Sequence, residues 1–234
     1  MKELPPEQPL FDSYAAGYDA ALAQGLSVSG EDKDFFAQGR AIWLAQRLAR
    51  LGLQVQTAVD FGCGTGSATP FLLQALGLAS LIGLDPSAAS IAVARRAHGS
   101  DRASFFTLQD FKANTPVDLV FCNGVFHHVP LAERAGAVRF VHQILRPDGL
   151  FAFWENNPWN PGTRYVMSRI PFDRDAITLS PPEAARMLQA GGFTILRRDF
   201  RFYFPRVLSW LRWLERPLVP IPLGAQYLIL CRKS

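Results

Sequence analysis

"AVDFGCGTGSATPFL", residues 58–72, is the stretch on which the fold turns. An apolar run closes in Asp60, glycines follow at 62, 64 and 66, and a helical pattern begins directly afterwards. Glycines this closely spaced let a backbone turn sharply and approach a ligand with no Cβ in the way. A strand, a glycine turn and a helix form the opening unit of an α/β sheet, whose ligands lie at the carboxyl ends of the strands. The spacing departs from the dinucleotide fingerprint: Gly62 and Gly64 are followed by Ser67 at the third place, with Gly66 one residue early.

Outward from this turn the chain alternates strands and helices. Short apolar runs at 55–61, 80–84, 103–108, 117–122 and 149–154 read as buried parallel strands. Helical patterns lie at 31–51, 67–77, 87–98 and 131–146. In "SPPEAARMLQAGG" (180–192), Ser180, Pro181 and Glu183 predict a capped helix. Final strands are expected at 193–200 and 226–232. The alternation predicts a doubly wound, mostly parallel sheet with helices on both faces. Two segments resist it: the Pro/Asn-rich 155–179 and the aromatic, Arg-containing 201–224. Long segments of this kind inside a compact domain are usually functional.

The 234 residues suit one domain. Three scattered cysteines (Cys63, Cys122, Cys231) form neither a metal spacing nor a disulfide framework, which points to a reducing cytoplasm. No run of about 18 apolar residues occurs. The net charge of +4 is uneven, with 12 Lys/Arg against 5 Asp/Glu in residues 161–234. That basic end suits an acidic substrate, an anionic surface or simply a solvated face. No basic and aromatic stripe of a nucleic-acid module is present, so no nucleic-acid partner is expected.

Charge separates the candidate cofactors. Asp60 precedes the turn where a pyrophosphate would lie, which disfavours a nicotinamide dinucleotide and favours a ligand with an ammonium, such as S-adenosylmethionine. Asp85 ends the second strand, where it can accept from two ribose hydroxyls, and Asp110 follows the third, within reach of an adenine amine. Pro86 and Phe111 come next to these acids and can sandwich the adenine. The remaining cofactor candidates are Gly62, Cys63, Gly64 and Gly66 of the turn, Asn123 after the fourth strand, and Tyr18 and Arg40 at the entry, together with Tyr14.

These motifs resemble one family. "VDFGCGTGS", "GLDPS", "LQDF", "DLVFCNGVFHHVP" and "LRPDGLFAFWE" stand in the order and spacing of the class I S-adenosylmethionine-dependent methyltransferases that act on small molecules. "FDSYAAGYD" (11–19) is similar to the N-terminal lid of many members. The resemblance implies a seven-stranded sheet with a reversed last strand, and methyl transfer to a small-molecule acceptor. It divides a single domain into a helical lid (1–53), a cofactor core (54–155) and acceptor-side loops with a strand pair (156–234). A nicotinamide-dependent oxidoreductase and a non-catalytic cofactor-binding protein are the alternatives.

Methyl transfer from a positive sulfur needs positioning, and a base where the acceptor must lose a proton. His128 matches the position where related enzymes often place a histidine, with His127 beside it and Glu155 at the end of the fifth strand as a second base. "GVFHH" lacks the carboxylate with which some relatives hold a metal, so no metal is expected. Val207, Leu211, Leu214 and Leu218 form one helical stripe. It predicts either a helix roofing the sheet or a cover over a lipid-like acceptor, with weak membrane-surface contact through 205–218.

Overall fold

The structure is a computed structural model describing residues 18–112, 116–174 and 176–234, the first four by backbone only. Tyr14 and most of the expected lid motif lie outside the described residues. Helices α1 (Tyr18–Leu26) and α2 (Lys33–Arg50) come first, α2 capped by Asp32, whose side chain accepts from Phe35 N–H at 2.8 Å. The alternating core follows as β1 (Thr57–Phe61), α3 (Thr69–Leu76), β2 (Ser80–Asp85), α4 (Ala88–His98), β3 (Ala103–Thr107), β4 (Val117–Asn123), α5 (Leu131–Ile144) and β5 (Leu145–Asn156). Then come α6 (Pro161–Arg169), α7 (Pro181–Ala190), β6 (Phe193–Arg201), a 3-10 helix (Arg206–Leu214), the one-turn α8 (Glu215–Leu218) and β7 (Gln226–Lys233).

The seven strands form one sheet in the order 3-2-1-4-5-7-6. β1 to β5 pair in parallel, while β7 inserts antiparallel between β5 and β6. The expected reversed last strand is therefore present. Strand periodicity divides the core into two layers. Val59, Phe61, Val120, Cys122, Phe151 and Phe153 pack under α5 and α7 with Val138, Val141 and Leu188. Ala58, Leu119, Phe121, Ala152 and Trp154 pack under α2 and α3 with Trp43, Leu44 and Leu72. At the strand ends the same alternation sends Asp60 toward α2, and Glu155 toward the loop that follows β4.

Because β7 runs backwards, β6 runs in the direction of β5. The long β6–β7 connection thus emerges at the carboxyl edge of the parallel strands, where the glycine turn lies. Trp43 Nε1 donates to Asp199 at 2.8 Å and Arg47 pairs with the same carboxylate, which ties α2 to β6.

Two expectations change. The stretch 155–179 contains α6, and its signal was present: Asn160 caps it by accepting from Thr163 N–H at 2.8 Å, and Pro161 opens it. The expected α-helical stripe over 205–218 is mostly 3-10 helix with a kink at Leu208, and none of Arg206–Leu214 is buried. A 3-10 helix has three residues per turn, so Trp210 and Trp213 beyond the kink lie in one row, with Val207 before it. Val207, Trp210 and Trp213 are 81%, 69% and 71% exposed, while Leu211, Leu214 and Leu218 of the expected stripe are half-buried.

Candidate active site

The turn between β1 and α3 is built as its glycines require. Gly62, Gly64 and Gly66 have φ of 76°, 53° and 79°, a region that side chains with a Cβ seldom adopt. A Cβ on Gly62 would lie 2.2 Å from Val125, and one on Gly66 would press on His98, Phe105 and Ala94. A Cβ on Gly64 would meet nothing within 4 Å. The space over Gly64 is a hollow of about 80 Å³ bordered by Asp60, Gly62, Thr65, Ser67, Phe121 and Asn123.

Three observations fit a cofactor there. Gly64 leaves room that a side chain would fill. Buried Asn123 Oδ1 has no hydrogen-bond partner among the described residues. Asp60, only 3% exposed, has its pKa raised to about 7 by burial and by the Asp85 charge, with Arg40 opposing. A buried carboxylate this disfavoured is poised to receive a cationic group. Asp85 braces the turn, accepting from Gly64 N–H and from Ser87 N–H, each at 2.9 Å. Cys63 is a buried thiol whose pKa is pushed up by burial and by Asp60 and Asp85, so it stays neutral.

The other cofactor candidates are less enclosed. Asp110 is exposed at the end of β3 and accepts from the Thr107 hydroxyl at 2.7 Å. Pro86 is exposed, while Phe111 packs against Phe106 and Phe140. Arg40 is buried on α2 and donates to Gln226 Oε1 at 3.0 Å. Tyr18 begins α1, but its side chain lies outside the description.

A second cavity of about 370 Å³ adjoins the first, sharing Arg40, Ser67 and Asn123. Leu22, Leu26, Phe35, Met167, Ile170 and Phe202 make much of its wall, with His127, His128, Asp173 and Asn156 as a polar group. Glu155 is 1% exposed and not among the cavity's lining residues. One Glu155 oxygen accepts from Phe126 N–H at 2.7 Å and the other meets His127 Nδ1 at 2.6 Å. Burial alone would lower the pKa of His127, but Glu155 and Asp173 outweigh it and raise it to about 10. The two carboxylates thus favour the protonated form of His127. His128 Nε2 lies 3.1 Å from Asp173 Oδ1 and is partly open to solvent.

Asp173 was not anticipated. It sits 46 residues beyond His127 in chain order, in the segment after α6, and no spacing in the sequence marks it. Ile177 N–H donates to His127 O at 3.0 Å and Arg134 reaches Ile177 O at 2.6 Å, which fastens this segment beside the histidines. The expectation of no metal rested on the lack of a carboxylate in "GVFHH"; in the fold Asp173 stands beside these histidines. Donor atoms of His127, His128 and Asp173 lie within 4.8 Å of one another, so the three side chains form one hydrogen-bonding cluster.

Known proteins place this architecture. Residues 59–151 match a methyltransferase domain family. A trans-aconitate 2-methyltransferase from an Azoarcus species is 30% identical over 137 residues, covering 58% of this chain and 53% of that enzyme. The chain thus spans about half the length of the curated relatives it matches. Among solved structures, a chain from a Haloferax volcanii complex containing a methyltransferase activator superposes with TM-score 0.67 at 20% identity, over 97% of this chain and 99% of that one. An S-adenosylmethionine-dependent methyltransferase from Mesorhizobium loti gives TM-score 0.59 at 21% identity, over 82% and 98%. At these identities the superpositions show the fold. With the glycine turn, the acids at the strand ends and the family match in agreement, residues 59–151 match a methyltransferase domain and are similar to class I S-adenosylmethionine-dependent methyltransferases.

Proposed function

We propose that the protein transfers a methyl group from S-adenosylmethionine to a small, mainly apolar acceptor that must lose a proton. The observation that carries this reading is the pair of adjoining cavities, one over the glycine turn and one apolar with histidines at its polar end. The cofactor supplies a methyl on a positively charged sulfur, so the reaction is an in-line displacement that needs alignment and exclusion of water.

Each residue has a task in this scheme. Asp60 meets the cofactor's ammonium and Arg40 its carboxylate, Asp85 takes the ribose hydroxyls, and Asp110 with Pro86 and Phe111 holds the adenine. Asn123 offers its unpartnered oxygen. His128 donates Nε2–H to Asp173 and receives the acceptor's proton on Nδ1. His127 and Glu155 position this loop, since His127 favours its protonated form and Glu155 is occupied by Phe126 and His127. α1 and α2 form the lid side of the cavity through Leu22, Leu26 and Phe35.

The curated relatives are named for trans-aconitate, a polyanion. Here Lys33 and Arg40 are the cavity's only Lys or Arg lining residues among the described residues, and the wall is largely apolar. This contrast supports an acceptor less anionic than trans-aconitate.

Incubation with methyl-labelled cofactor and a metabolite extract is expected to yield a labelled, organic-extractable product. With that acceptor, His128→Ala should lower kcat roughly 10²–10⁴-fold, leaving cofactor affinity within about twofold. Unchanged kcat would remove His128 as the base. Gly64→Val should abolish saturable S-adenosylhomocysteine binding in calorimetry, because its side chain enters the hollow where a Cβ otherwise meets nothing. Asp85→Ala should weaken the same ligand at least about tenfold, since it loses charge-assisted bonds and leaves Gly64 N–H and Ser87 N–H without their acceptor.

A further inference from the structure

The β6–β7 connection carries exposed apolar surface that the proposed reaction does not use. In the 3-10 segment, Trp210 and Trp213 lie one turn apart at 69% and 71% exposure, and Val207 and Leu208 at the kink before them are exposed as well. Later in the same connection Ile221 and Leu223 are also exposed. Asn157 Nδ2 donates to Pro222 O and Gly224 O, and Asn160 Nδ2 to Leu223 O, which sets exposed Trp159 next to this second stretch. Scattered exposed apolar residues are ordinary, but two tryptophans one turn apart with exposed Val207 and Leu208 just before them are not.

The charges in this connection are one-sided. Arg206 and Arg216 are exposed. Arg212 pairs with Glu31 at 2.8 Å and stacks over Phe35. Glu215 is the connection's single carboxylate. It is buried, accepting from Tyr203 N–H at 3.0 Å and facing Arg201 at 3.4 Å, so it presents no negative charge outward. Indole rings with arginines beside them suit the boundary between lipid headgroups and acyl chains, where an apolar body and a polar edge are both satisfied. Among the described residues no helix is long and apolar enough to cross a membrane, so the contact these residues can make is a surface one.

We propose that the 205–223 segment docks the protein onto an anionic lipid surface, with Val207, Trp210 and Trp213 entering the interface and Arg206 and Arg216 meeting lipid phosphates. Tyr203, Phe204 and Pro205, which lead into the 3-10 helix, line the 370 Å³ cavity. Docking therefore brings the mouth of an apolar cavity to the bilayer, and an acceptor dissolved in lipid reaches the cavity without crossing water. The proposal goes beyond the methyl-transfer reading, because surface binding requires neither cofactor nor acceptor.

The test uses the full chain and phosphatidylglycerol vesicles, with phosphatidylcholine vesicles as the neutral arm. The protein is expected to co-sediment with the anionic vesicles, and brominated lipid should quench its tryptophan fluorescence. Trp210→Ser with Trp213→Ser should weaken partitioning at least about tenfold and remove most of the quenching. Arg206→Ser should weaken it roughly fivefold, and added salt should act in the same direction. Because these side chains are exposed, the variants should keep the wild-type melting temperature. No co-sedimentation with phosphatidylglycerol, equal binding by the double variant, or equal affinity for neutral vesicles would overturn the proposal. A concentration-dependent dimer in ultracentrifugation that the double variant abolishes would overturn it too, by assigning the face to a second copy of the chain.

Discussion

Glu155→Ala is expected to lower the melting temperature by roughly 10 °C, from a loss of about 3–5 kcal/mol when one partner of a buried ion pair is removed. The change strips an acceptor from Phe126 N–H and leaves His127, raised to about pKa 10, with only Asp173 to balance its charge. The sign of the pH dependence follows from His127. Its folded pKa lies above its unfolded value of 6.5, so its stabilisation is fully present below pH 6.5 and is lost as pH rises toward 10. The deficit of Glu155→Ala should therefore be greatest near pH 6 and shrink by pH 9. Glu155→Gln still accepts from Phe126 N–H through its amide oxygen and should lie between. Thermal unfolding of the three proteins at both pH values decides the matter, and a pH-independent deficit would contradict a charged His127.

Asp60→Asn should raise stability and weaken S-adenosylmethionine binding together. The Asp60 pKa is raised from 3.8 to about 7 in the folded chain, so the folded protein holds a proton that the unfolded one has released. Stability from this group is greatest below about pH 4 and falls as pH rises to 7. The amide mimics the protonated carboxyl, and at pH 8 the cofactor-free variant should gain on the order of 2–4 kcal/mol, or at least about 5 °C in melting temperature. The proposed ammonium contact needs the ionised carboxylate, so wild-type affinity should be about tenfold weaker at pH 6 than at pH 8. The variant should bind at least tenfold more weakly than wild type at pH 8 and lose that dependence on pH. A pH-independent wild-type affinity would remove Asp60 as the ammonium's partner.

The sheet and the cofactor turn were legible in the linear chain because their determinants are local. Residues 80–84 or 117–122 must be buried on both faces whatever surrounds them, and the glycines at 62, 64 and 66 announce backbone angles that other residues avoid. A carboxylate after each of three successive strands is likewise readable, since parallel strands bring their carboxyl ends to one edge. Helix α6 was legible in principle, because Asn160 and Pro161 are its cap and first residue. Roles that depend on which side chains meet across the chain were not. His127, His128 and Glu155 were visible as candidates, but alternation along β5 turned Glu155 inward to fix His127. Asp173 came from a loop fastened by Arg134 and Ile177. The 205–218 stripe reads as a buried amphipathic helix at 3.6 residues per turn, and only the three-residue turn of the folded segment set Trp210 and Trp213 in one exposed row. By itself the sequence determined the fold class and the glycine turn that follows the first strand, through backbone sterics and burial. The tertiary structure decided which titratable groups meet and which apolar groups remain in water, because both depend on contacts between residues far apart in the chain.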